Sequence, residues 1–173
     1  MTPLRVGVGF DSHRLEPGRR LILGGVEIEG AEAGLAGHSD ADVLTHAVID
    51  ALLGAAGMGD IGQHFPDTDE RWRDADSIEL LRAVRDTLRD AGHTPANIDA
   101  TLACETPKLS PFRDEMRSRL AGAVGLEATA VNVKFTTGER MGFVGRGEGM
   151  AALAIAAVAR SAETDEPRGG SPA

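Results

Sequence analysis

The chain has 173 residues, 42% hydrophobic and 26% charged, enough for one domain with its own core. Its formal net charge of −9 excludes a general nucleic-acid binder, because affinity for a phosphate backbone needs a basic surface, but leaves room for a small phosphorylated substrate held by local cations. No apolar run is long enough to span a bilayer, "MTPLRVGVGF" is too short and interrupted for a signal peptide, and the single Cys104 rules out an intrachain disulfide; a reducing, cytoplasmic setting away from membranes is expected.

Residues 4–10 read as a strand that leads into Asp11 and His13. Side chains two apart in a strand share a face, so these two converge. Such a pair suits a salt bridge, an acid/base pair or part of a metal site. "RLILGGVEIEG" places two short β-rich runs around Gly24-Gly25, which predicts a hairpin. "SDADVLTHAVIDALLGAAG" reads as a helix, with Ser39 as N-cap, Asp42 completing a capping-box-like pair, and Gly57 ending it. The amphipathic spacing over 77–91 predicts a second helix, stopped by Gly92. A strand over "NIDATLACE", a helix over "SPFRDEMRSRLAGAVG" with Pro in its first turn, and a strand over "AVNVKFTT" follow. "GMAALAIAAVAR" is ambiguous: its alanines favour helix, yet "LAIAAVA" also reads as a buried strand. The alternation implies an α/β or α+β sheet with helices on at least one face. From Ser161 the periodic pattern is lost, and a disordered tail is expected over 161–173.

Polar groups cluster beside these elements. In "HSDADVLTH", Asp42 and His46 lie four apart on one helix face, with Asp50 a turn beyond. "GDIGQHFPDTD" is a Gly- and Asp-rich loop, and "KFTTGERMGFVGRGEG" combines hydroxyls, an acid, arginines and glycines. Taken one at a time, Asp42 is a cap, Asp60, Asp67 and Asp69 are turn formers, and His64 and His93 are structural. Together, Asp11, His13 and His46 supply one oxygen and two nitrogens, the donor set of a Zn²⁺ site with an open fourth position, and Asp50 is placed to orient an imidazole. The glycine run suits close approach of backbone N–H groups to phosphate but is no Walker motif.

In chain order, "GFDSH", "GG", "HSDADVLTHAVIDALLGAAGMGDIGQHFPDTD", "PKLSPF" and "VNVKFTTGERMGFVGRGEG" resemble the 2-C-methyl-D-erythritol 2,4-cyclodiphosphate synthase family of the non-mevalonate isoprenoid pathway, over residues 4 to about 160. The resemblance implies an α/β fold of α+β type: one domain over 1–160, a mixed four-stranded sheet flanked by helices, and a short hairpin. It makes "GMAALAIAAVAR" a strand. It also implies a homotrimer with its sheets around the threefold axis and active sites between subunits. One Zn²⁺ per subunit is implied on Asp11, His13 and His46, and a second divalent cation, Mg²⁺ or Mn²⁺, near Glu139. His38 and Thr137 are placed in catalysis. Ser39, Asp60, Ile61, Gly62, Phe65 and Asp67 fall at the methylerythritol and phosphate end. Cys104, Pro107, Lys108, Leu109, Thr136 and Thr137 fall at the cytidine diphosphate end, and Phe143 and Arg146 at a central cavity suited to an isoprenoid-like diphosphate. The implied reaction closes 4-diphosphocytidyl-2-C-methyl-D-erythritol 2-phosphate into a cyclic diphosphate and releases CMP. A zinc-dependent nucleotide phosphohydrolase and a non-catalytic trimeric phosphate-binding protein are the alternatives. Val8, Phe135 and Gly138 depart from the family's commonest residues, and Cys104 leaves the shape of the base pocket open.

Overall fold

The computed structural model describes residues 4–160, so the tail expected over 161–173 lies outside the described residues. Strand β1 (Leu4–Pro17) continues past the expected 4–10 and carries Asp11 and His13 within it. Chain order continues with β2 (Ile22–Leu23), β3 (Val26–Glu27), β4 (Ala33–Leu35), α1 (Val43–Ala56), α2 (Ile61–His64) and α3 (Ser77–Asp90). Next come β5 (His93–Ala103), α4 (Arg113–Val124), β6 (Val131–Thr136), α5 (Gly142–Gly145) and β7 (Gly149–Arg160). The sheet order is β4-β1-β7-β5-β6. Only the β5–β6 pair is parallel, so the sheet is mixed; the three-residue β4 adds a fifth strand at the edge, beyond the four long ones. The hairpin of β2 and β3 turns on Gly24 and Gly25, both at positive φ (58° and 74°), the backbone a tight hairpin requires.

The alanine-rich segment is strand β7, between β1 and β5 at the middle of the sheet. Its alanines suit that place because α1 lies directly over it. Ala152, Ala154 and Ala156 face the helix and are buried, and larger side chains would lift α1 off the sheet. The same demand is sharper on β1. A Cβ at Gly7 would sit 2.1 Å from the Ala51 carbonyl oxygen, and one at Gly9 would sit 1.9 Å from that of Ala47. The helix backbone therefore rests on the strand backbone at these two glycines.

Helix α1 begins at Val43, with Asp42 as its cap; Ser39 lies four residues ahead of the helix and does not cap it. The reason is the hairpin. The buried Asp42 carboxylate accepts from Thr45 N (3.0 Å) and Thr45 Oγ1 (2.7 Å), and also from Gly24 N (2.8 Å) and Gly25 N (2.7 Å). Burial pushes its carboxyl above the usual range against these four donors. One side chain thus starts α1 and fastens the β2–β3 turn to it. Helix α3 buries Ile78, Leu81, Val84 and Leu88 against α1 and α4, and α4 buries Met116, Leu120 and Val124. Its first turn, 110–112, is a 3₁₀ turn, so the α-helix proper starts at Arg113. The "GDIGQHFPDTD" stretch is not all loop: Asp60 accepts from Gln63 N (3.0 Å) and caps the single turn of α2.

All three long helices cover one face of the sheet. On the other, Val6, Val8, Phe10, Leu153 and Ile155 stay 42–65% exposed, with Val8 opposite Ile155 and Phe10 opposite Leu153. Among the described residues, no helix is long and apolar enough to cross a membrane. Gly9→Ala is expected to cost roughly 3 kcal/mol of stability, since the added methyl meets backbone rather than a movable side chain; urea denaturation measures it, and a loss below about 0.5 kcal/mol would contradict the packing described.

Candidate metal and substrate site

The strand period brings Asp11 and His13 to the helix-covered face, and the close approach of α1 brings His46 down on them. Asp11 Oδ2 is 2.8 Å from His13 Nε2 and 3.1 Å from His46 Nδ1, and the two imidazole nitrogens are 3.2 Å apart. Ligands about 2.0 Å from a tetrahedral metal are about 3.3 Å from one another, so this triangle has nearly the size of one face of that tetrahedron. The outer ring atoms are also engaged: His13 Nδ1 donates to the Ala36 carbonyl (2.8 Å), which turns Nε2 inwards as the atom a metal would take. Burial alone would raise the Asp11 carboxyl, but hydrogen bonds with His13 and His46 prevail and hold it well below the carboxylate range. Burial likewise opposes, and the Asp11 contact outweighs it to raise, the basicity of His13. The donor set and spacing suit a divalent metal.

Asp50 does not orient His46. Its carboxylate accepts from Ile61 N (2.8 Å), pinning the start of α2. The ring's Nε2 instead meets Ser77 Oγ at 2.9 Å and Ser39 Oγ at 3.2 Å. His64 bonds the Met58 carbonyl and His93 is buried at the start of β5; neither joins the metal group.

The three ligands open into a cleft of about 500 Å³, lined also by His38, Ser39, Ile61, Gly62, Phe65 and Asp67 from the expected set. Asp60 is not in that lining; its carboxylate is engaged by Gln63. Trp72 and Leu80 complete the wall, neither singled out in the sequence, and Trp72 stands edge-on to Phe65 at 5.0 Å. His38 Nε2 and Trp72 Nε1 are buried without a hydrogen-bond partner among the described residues. The lining contains carboxylates but no Lys or Arg.

A second cleft, about 300 Å³, holds Cys104, Pro107, Lys108, Leu109, Thr136 and Thr137 together, with Arg113 and Phe135 beside them. Arg113 lies over the Phe135 ring at 5.2 Å, which gives that departure from the family pattern a packing role. Cys104 is buried and its Sγ points back to the Thr106 carbonyl (2.9 Å). Glu139 is outside the metal triangle; its carboxylate takes a hydrogen bond from Thr137 Oγ1 (2.8 Å). The loop that carries it is fixed by Glu105, which accepts from Gly138 N (2.9 Å) and Arg140 N (3.3 Å), a role the sequence did not signal. Gly138 has no room for a side chain, since a Cβ there would lie 2.4 Å from Gly145 N. Phe143 lines a separate small cleft with Ser12 and Arg14, and Arg146 is paired with Glu148 (2.8 Å). These metal and nucleotide-side clefts share no lining residue, and β7 runs between the strands that carry them.

A family model described as YgbB family matches residues 4–159. The chain is 57% identical over 155 residues to a 2-C-methyl-D-erythritol 2,4-cyclodiphosphate synthase from Salinibacter ruber, covering 90% of this chain and 98% of that one. It is 58% identical over 160 residues to the bifunctional enzyme IspD/IspF of Anaeromyxobacter dehalogenans, covering 92% of this chain but only 41% of the relative, so it spans about two fifths of that longer protein. Among solved structures, a 2C-methyl-D-erythritol-2,4-cyclodiphosphate synthase in its CDP-bound form superimposes with a TM-score of 0.81 at 37% identity, covering 89% of this chain and 99% of that one. The bifunctional IspDF from Campylobacter jejuni gives 0.88 at 43%, covering 92% and 43%. By a match that spans the whole described fold, the chain belongs to the YgbB family, which takes in its relatives named 2-C-methyl-D-erythritol 2,4-cyclodiphosphate synthase.

Proposed function

We propose that the chain converts 4-diphosphocytidyl-2-C-methyl-D-erythritol 2-phosphate to 2-C-methyl-D-erythritol 2,4-cyclodiphosphate and CMP, as a single-domain cytoplasmic homotrimer. The observation that carries the reading is the Asp11–His13–His46 triangle at the base of a cleft without cationic side chains. A phosphate cannot settle beside those carboxylates unless a cation comes with it. Asp11, His13 and His46 would hold one Zn²⁺ per subunit and Glu139 a second ion, Mg²⁺ or Mn²⁺. When bound, these ions supply charge neutralisation and Lewis-acid polarisation of phosphorus.

The protein's own groups position the reactants. Cys104, Pro107, Lys108, Leu109 and Thr136 hold the cytidine diphosphate end; Ser39, Ile61, Gly62, Phe65 and Asp67 hold the methylerythritol end, with Asp60 fixing the turn that carries Ile61 and Gly62. His38 turns its unpartnered Nε2 to a phosphate oxygen, and Thr137 orients the Glu139 carboxylate. An oxygen of the 2-phosphate bonds to the β-phosphorus. The bond from that phosphorus to the bridging oxygen breaks, and its electron pair leaves with CMP. Phosphate is already anionic and nucleophilic, so alignment and electrostatics carry the step without a general base.

The exposed apolar sheet face supports the trimer, with sheets packed around the threefold axis and Phe143 and Arg146 near it at a central cavity suited to an isoprenoid-like diphosphate. A substrate that needs both clefts is served where the metal cleft of one subunit meets the nucleotide cleft of the next.

³¹P NMR of the chain with this substrate tests the reaction: coupled cyclic-diphosphate resonances and CMP, abolished by a chelator, are expected. Open-chain phosphates would point to a hydrolase, and unchanged substrate with metal present to a binding protein. His46→Ala is expected to lose zinc and turnover while remaining a folded trimer, checked by metal analysis and light scattering. Glu139→Gln should raise the Mg²⁺ concentration needed for half-maximal rate and leave zinc content unchanged; an unaltered Mg²⁺ titration rejects its role. Cys104 acts as wall, not nucleophile, because burial and then the Glu105 charge push its thiol up to about 11. Alkylation by iodoacetamide at pH 7.5 should be slow until the chain is unfolded. The thiol's raised folded value makes its contribution to stability complete below its ordinary value of 9.0 and lost as pH climbs towards about 11. Cys104→Ser should flatten that decline.

A further inference from the structure

The sequence pointed to Asp50 as the partner of the metal-facing histidine, and the structure assigns that place elsewhere. We infer that Ser77, held by Asp40, is a positioning residue that keeps Nε2 of His46 a donor and so reserves Nδ1 for the metal; this deepens the proposed function and rests on it.

The argument is a count of protons and lone pairs. The Asp40 carboxylate accepts Ser77 N–H (3.0 Å), the Ser77 hydroxyl through a short contact, and Asp42 N–H (3.2 Å). Ser77 has one hydroxyl proton, and Asp40 takes it. Towards His46 Nε2, 2.9 Å away, Ser77 Oγ therefore offers only a lone pair. Nε2 must carry the proton, since two lone pairs at that distance repel. Ser39 Oγ, at 3.2 Å from the same nitrogen, already accepts Ala41 N–H (3.2 Å); its own proton is uncommitted, so it does not decide the tautomer. With Nε2 committed as a donor to Ser77, Nδ1 is the nitrogen that faces Asp11 and His13, where a bound metal would take the lone pair in place of any proton shared with Asp11.

Ser77 is fully buried in the first turn of α3, at the end of the segment that carries Phe65, Asp67 and Trp72 around the cleft. The backbone of that segment is also tied back beside the site, by Asp74 N to the His38 carbonyl (2.9 Å) and Asp40 N to the Ala75 carbonyl (3.2 Å). The group that orients the ligand is therefore also a fastening of the cleft wall. In Ser77→Ala, Nε2 would lose that acceptor, and a ring with a single proton could keep it on Nδ1, bonded to Asp11, where it competes with the metal.

Two measurements on the full chain decide this. The first is the ¹⁵N shifts of labelled histidines in metal-free protein at pH 8. Wild type is expected to show His46 protonated on Nε2, and Ser77→Ala a mixture of tautomers. The second is zinc affinity by chelator competition, with a loss of roughly 10- to 100-fold expected in Ser77→Ala. A wild-type His46 with Nε2 unprotonated, or an unchanged zinc affinity in the variant, overturns the assignment. If Ser77→Ala does not fold, the wild-type shifts still decide. A wild-type chain that takes up no zinc defeats the reaction reading instead, while the tautomer, read without metal, still decides the role of Ser77.

Discussion

The contact on which the rest depends is the seating of α1 on β1 at Gly7 and Gly9. Helices pack on sheets through side chains, commonly near 10 Å between axes. Here the strand contributes no side chain at two successive helix-facing positions, and the helix places Ala47, Ala51 and Ala55 against them. The closeness explains why β7 beside it is alanine-rich and why α1 is buried nearly all round. It also has a chemical product. His46 reaches Asp11 and His13 because the helix that carries it sits so low, with the next two residues of the same strand face, after the glycines, free to be ligands. A fold constraint and a metal geometry are one feature of the sequence "GVGFDSH".

The second constraint is charge. The chain is acidic, and most of its arginines in the described residues are already engaged with neighbouring carboxylates, as in Arg71–Asp69, Arg73–Glu70, Arg119–Glu115 and Arg146–Glu148. These exposed pairs add little stability, but they leave few free cations. The metal cleft has none in its lining. A protein that binds phosphates with arginine pays no heed to metal supply; on the proposed function, a cleft built from carboxylates and imidazoles would depend on it. The fixed orientation of His13 by the Ala36 carbonyl fits the second design, since a ring whose Nε2 already points into the metal site loses less freedom on binding.

What could be read from the sequence follows the range of the interactions. The period of two placed Asp11 and His13 on one face, the helical run carried His46, and the glycine pair gave the hairpin, because each is local. Ser39 was misread as the cap of α1 because its spacing to Asp42 looks like a capping box; the turn at Gly24-Gly25, eighteen residues upstream, makes Asp42 the cap instead. Asp50 looked like the partner of His46 by helical spacing, yet α2 claims it. Ser77, Asp40 and Glu105 act across 31 or more residues, so no local window contains both partners, and Trp72 stands outside any periodic segment. The composition of β7 left helix and strand open for the same reason: alanine there answers to α1 overhead, not to its own backbone preference.

The division of the site follows from the sheet. On the proposed reading one substrate must touch the metal triangle on β1 and the cytidine pocket at the ends of β5 and β6, and β7 stands between them within the chain. The same β1 and β7 present the uncovered apolar face of Val6, Val8, Phe10, Leu153 and Ile155. Fully burying side chains of this kind is worth about 1.5–3 kcal/mol each, a strong drive to associate through that face. Packing copies there would set the clefts of neighbouring subunits side by side. On that reading the strand that divides the site inside one subunit would also join it between two, so that assembly and substrate binding would draw on a single surface.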